Sequence, residues 1–88
     1  MITDELVSTL YEGSTRTQNR KGLPVYDVNL TSAVEQGLTI DSIRTAAQSL
    51  GIRTKNYRDG LSFQTYNLRQ TIKNTLSLAK QNQILAHK

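Results

Sequence analysis

The chain of 88 residues contains no cysteine, which excludes disulfides and thiolate metal sites. Its one histidine, His87, lies next to the last residue, a position poorly suited to general-base chemistry. The seven carboxylates are dispersed, and no phosphate-cradling glycine-rich loop or nucleophile in a known local signature is present. Tyr57 and Tyr66 lie near basic residues without catalytic company, so they read as core or stacking residues rather than nucleophiles for strand cleavage. The expectation is a protein that is not an enzyme and that holds neither metal nor cofactor. No apolar run approaches membrane-spanning length, and Met1-Ile2-Thr3-Asp4-Glu5 lacks the basic start and apolar core of a secretion signal, so the expected location is cytoplasmic or nucleoid-associated.

A chain of this length suits a single domain over residues 1–88 that buries only a modest core. With no disulfide or metal to add stability, association into a homodimer is the natural way to bury more area.

The net charge of +4 is unevenly spread. Asp4, Glu5 and Glu12 stand near the start with no base among residues 1–15, whereas residues 53–88 hold Arg53, Lys55, Arg58, Arg69, Lys73, Lys80 and Lys88 against Asp59 alone. Such asymmetry is the ordinary electrostatic signature of a partner that carries phosphates. A third basic group, Arg16, Arg20 and Lys21, falls in residues 14–22, a segment with nothing to bury. That segment is expected to be a basic loop or an arm that grips a phosphate backbone.

Hydrophobic spacing predicts a mainly α domain of four or five helices with a short β segment near 25–30. Thr3 caps a first helix with Asp4 and Glu5 in its first turn, an Ile2–Val7 staple and a stripe of Leu6, Val7, Leu10 and Tyr11 that Gly13 ends. Tyr26, Val28 and Leu30 alternate with Val25, Asp27 and Asn29, a period of two that suits a strand, although no partner strand is evident. Thr31 caps a short helix that Gly37 stops. Thr39 caps the next, where Ile40, Ile43, Ala47 and Leu50 share one face and Gly51 follows as a stop. Leu61 to Leu68 begins either as strand or as helix. A long last helix carries Leu68, Ile72, Leu76 and Ala79 on one stripe and Leu78, Ile84 and Leu85 elsewhere; residues 82–88 are either a dimer contact or a frayed tail.

The run from Ile43 to Arg58 resembles the helix-turn-helix of small bacterial and phage DNA-binding proteins. Ala47 takes the place of the small residue that lets two helices approach, and Gly51, four positions later, that of the turn. The resemblance covers about a fifth of the chain and implies a sequence-specific regulator, of phage or plasmid type, that binds double-stranded DNA as a homodimer through residues 40–59. Arg53, Thr54, Lys55, Asn56 and Arg58 would lie on or beside the recognition helix, with Arg16, Arg20 and Lys21 on the backbone. Asp59-Gly60 departs from the pattern by cutting that helix short. A second register takes Ala33 and Gly37 as small residue and turn, and offers Ser42, Arg44, Thr45 and Gln48 to the groove. The alternative from another class is a protein-interaction module or inhibitor that binds an acidic protein surface.

Overall fold

Two threonines open the first and third helices by the same device. In the computed structural model of the chain, which describes residues 2–18 and 21–86, the Leu6 N–H donates to the Thr3 hydroxyl at 3.2 Å and the Ser42 N–H to the Thr39 hydroxyl at 3.1 Å. Each cap satisfies a donor that the first helical turn leaves unpaired. The helices are α1 (Asp4–Glu12) and α3 (Ile40–Ser49), with Asp4 and Glu5 in the first turn of one and Asp41 in that of the other. Leu6, Val7 and Leu10 are buried as their spacing requires, and Ile2 packs beside them. Tyr11 instead faces outward beneath the Arg69 guanidinium, 4.7 Å from its ring centre.

The mainly α expectation is overturned. The chain forms a four-stranded antiparallel sheet from β1 (Thr15–Gln18), β2 (Pro24–Asn29), β3 (Arg53–Tyr57) and β4 (Gly60–Gln64), in the order β1-β2-β4-β3. With α2 (Thr31–Glu35) and α4 (Leu68–Ala86) the fold is α+β, helices on one face of the sheet. β2 is the strand that alternation predicted near 25–30, and its two neighbours come from unexpected places. β1 arises within the segment expected to be a loop, and β4 from the stretch whose state was open between strand and helix. The reason lies in the sheet order. β1 and β3 are edge strands whose residues bury little, so they carry none of the alternation that marks β2 and β4.

Register fixes the two faces. Tyr26 is opposite Phe63 and Val28 opposite Leu61, and these side chains point into the helical layer, where Val28, Leu61 and Phe63 are fully buried. They meet Leu30, Leu10, Ile43, Ala46 and Ala47, together with the α4 stripe of Leu68, Ile72, Leu76 and Ala79. That stripe is buried throughout, as its spacing predicts. Leu50, expected on the core face of α3, is exposed because it ends the helix rather than continuing it.

The two alanine-to-glycine spacings are helix ends of one kind. The Gly51 N–H donates to the Gln48 carbonyl and the Ile52 N–H to the Ala47 carbonyl, at 3.0 and 2.9 Å. At the end of α2, Gly37 donates to Val34 at 3.0 Å and Leu38 to Ala33 at 3.2 Å. Both are Schellman motifs, with glycine in the left-handed region at φ 76° and 98° and an apolar residue after it. The alanine is small because it lies in the core; the glycine is needed because a Cβ strains that backbone. None of the described helices is long and apolar enough to cross a membrane.

Candidate nucleic-acid interface

No recognition helix follows Gly51. Arg53 to Tyr57 are β3, so the first helix-turn-helix register is not formed. In the second register α2 and α3 do flank a tight turn, but they do not pack on each other as that motif requires: α3 packs against α4, and α2 against α1. Asn56 and Arg44, expected to meet DNA in rival registers, are bonded together. The Arg44 guanidinium donates to Asn56 Oδ1 at 2.7 Å and to Asp41 Oδ1 at 2.6 Å.

Strand alternation sorts the remaining basic segment. Thr54 is opposite Phe63 and Asn56 opposite Leu61, which turns both toward the helical side. Arg53 is opposite Gln64, Lys55 opposite Ser62 and Tyr57 opposite Gly60, so these three stand on the other face, which no element of the described residues covers. Arg58 is exposed in the two-residue turn that joins β3 to β4. Among the described residues, the side chains of Arg53, Lys55 and Arg58 have no hydrogen-bond or ion-pair partner.

The hairpin that carries them depends on Gly60. A Cβ there would lie 1.9 Å from the Val28 carbonyl oxygen, so only glycine lets β4 begin this close to β2. The Leu30 N–H donates to the Asp59 carbonyl at 3.0 Å and ties the turn to the end of β2. Asp59-Gly60, which looked like a break in a helix, is the turn and first residue of a hairpin.

The uncovered face forms an open concavity of about 770 Å³. Its floor is Thr17, Val25, Asp27, Ser62 and Gln64, its basic wall is Arg53 and Lys55, and Gln48, Gly51 and Ile52 close one end where α3 turns into β3. Asp27 and Ser62 are register partners at the centre of the sheet, and the Ser62 hydroxyl donates to Asp27 Oδ1 at 2.5 Å. Thr15 is the register partner of Asp27, and Thr17, opposite Val25, stands two residues further along the same face, in the row of Gln64.

The other expected site residues fall elsewhere. Arg16 is opposite Tyr26 in register, on the helix-facing side of the β1 edge, with its guanidinium 5.9 Å from the Tyr26 ring centre. Lys21 sits in the turn before β2. Arg20 and His87 lie outside the described residues. Arg53 and Lys55, expected to act with Thr54 and Asn56, stand on the opposite face from both, and share their surface with Asp27, Ser62, Thr17 and Gln64, which no sequence signal had joined to them. The Asp59-Gly60 step between Thr54, Tyr57 and Phe63 was the available signal, since Asp-Gly between β-forming residues marks a hairpin, and the turn forms one residue earlier, at Arg58-Asp59. Among the described residues no group of three or more His, Cys, Asp or Glu side chains could hold a metal ion. Compared with protein-family models, curated proteins and solved structures, the chain matches none.

Proposed function

We propose that this protein binds nucleic acid through the uncovered face of its sheet, with Arg53 and Lys55 holding phosphates and Arg58 extending the basic edge at the hairpin turn. The observation that carries this reading is the placement of two cations, with no protein partner among the described residues, on the open face of an edge strand beside a polar concavity. A helical layer backs the other face and fixes the strand positions, so the cations project from a rigid platform. Thr17, Ser62 and Gln64 offer hydrogen-bonding groups to whatever the phosphates position.

The geometry also sets the size of the effect. Three cations displace about three counterions, so log affinity falls with log salt with a slope of roughly −2 to −3. That is shallower than the basic count of residues 53–88 implies, because Arg69, Lys73 and Lys80 belong to the helical side. A fluorescence-anisotropy titration with labelled single-stranded and duplex oligonucleotides at rising salt reads this slope. The Arg53→Ala/Lys55→Ala double variant should reduce the slope by about two and weaken every sequence alike. Absence of salt-dependent binding to any oligonucleotide would discard the reading and leave an acidic protein surface as the partner class.

A further inference from the structure

The acidic residue in the floor of this basic site is unexpected for a surface that only holds phosphates. Asp27 stands at the centre of the sheet, half-buried, with one carboxylate oxygen engaged by Ser62 and the other without a partner among the described residues. A carboxylate there repels a phosphate and attracts a hydrogen-bond donor. Resting on the nucleic-acid reading above, we infer that the concavity takes one unpaired nucleotide of a single strand, and that Asp27 selects guanine by accepting hydrogen bonds from its Watson–Crick edge.

Three observations lead to this assignment. The concavity of about 770 Å³ has the volume of a small-ligand site. Lys55 on β3 and Asp27 on β2 are separated by β4 alone, which puts them roughly 10 Å apart across two strand spacings. That distance is comparable with the reach from a phosphate to the far edge of its own base. The chemistry of the floor then chooses the base. Guanine alone presents two adjacent donors, N1–H and the N2 amino group, to a single carboxylate. In a duplex these donors are covered by cytosine, and the major-groove edge of guanine shows acceptors only, which a carboxylate cannot bind. The Ser62 hydroxyl orients the carboxylate and leaves both oxygens with lone pairs to spare.

The test measures anisotropy with oligothymidylate strands that carry one central guanine, one inosine, which lacks the N2 amino group, or thymine alone, in DNA and RNA arms, and with the guanine strand annealed to its complement. Guanine is expected to bind roughly tenfold tighter than inosine or thymine, and the arm in which the preference is larger identifies DNA or RNA as the strand. Asp27→Asn, which converts one oxygen to a donor, should bring the three strands to one affinity, with thermal melting as the check on its fold. The inosine comparison needs no variant and so is independent of folding. Equal affinity for the three strands, or tighter binding of the duplex, would overturn the inference while the salt-dependent binding upholds the nucleic-acid reading. No binding to any strand would overturn both.

Discussion

Gly60 shows how a single residue sets the geometry of the candidate site. Its φ is ordinary, and what it supplies is room: any side chain would place its first carbon 1.9 Å from the Val28 carbonyl oxygen. Gly60→Ala therefore has to push β4 away from β2, where the sheet is most buried and where Asp27 meets Ser62. Overpacking of this kind costs about 1–3 kcal/mol, and the clash with backbone rather than with a flexible side chain favours the upper end. Urea unfolding should show an unfolding free energy lowered by that amount, seen as a lower midpoint with the slope unchanged. A stability equal to wild type would mean that the strands slide past each other freely, and the register that places Lys55 opposite Ser62 would lose its support.

At the scale of elements, the last turns of α4 are held by one side chain. The Thr39 N–H donates to Gln83 Oε1 at 3.0 Å, and Gln83 Nε2 donates to the Gly37 carbonyl at 2.9 Å. Gln83 thereby clamps the helix end to the turn between α2 and α3, and residues 82–86 are helical where a frayed tail was one expectation. Gln83→Ala should raise amide hydrogen exchange over residues 80–86 and at Thr39 while the exchange of β2 and β4 stays as in wild type. Unchanged exchange at the helix end would show that its own helical bonds suffice. The contrast with the sheet explains what was legible in the sequence. Helices α1, α3 and α4 declared themselves because each buries a stripe at helical spacing, and α1 and α3 also open on a threonine cap. The central strand β2 was visible for the equivalent reason, an alternation with one buried face. The edge strands were not, because Thr15, Arg16 and Thr17 in β1, and Arg53 and Lys55 in β3, are paired through their backbones and bury little. A Schellman end added to the misreading: its alanine, glycine and apolar residue satisfy the spacing of a helix-turn-helix but say nothing about whether helix, as after Gly37, or strand, as after Gly51, comes next.

At the scale of the molecule the chain repeats its own topology. An α-β-β-α order runs through α1, β1, β2 and α2 and again through α3, β3, β4 and α4, and the sheet order is symmetric about the central β2–β4 pair. The charge does not follow that symmetry. On the open face β1 contributes Thr15 and Thr17 where β3 contributes Arg53 and Lys55, so the two halves share a scaffold and differ in what they present. The cations outside this face test whether placement or total charge governs binding. Lys73 and Lys80 belong to α4, in the layer that covers the opposite side of the sheet, and the molecule is 22 Å across its shortest dimension. At 0.15 M salt the Debye length is about 8 Å, so charges across the layer contribute little to phosphates held at β3. The Lys73→Gln/Lys80→Gln variant should bind oligonucleotides within about twofold of wild type at that salt, with a larger loss only at low salt, where the field of the whole protein steers association. Lys55→Gln removes the same kind of charge from the open face and should weaken binding at both salts. If the α4 pair mattered as much as Lys55, the contact surface would have to lie on the helical layer, because screening leaves no other way for those two charges to act.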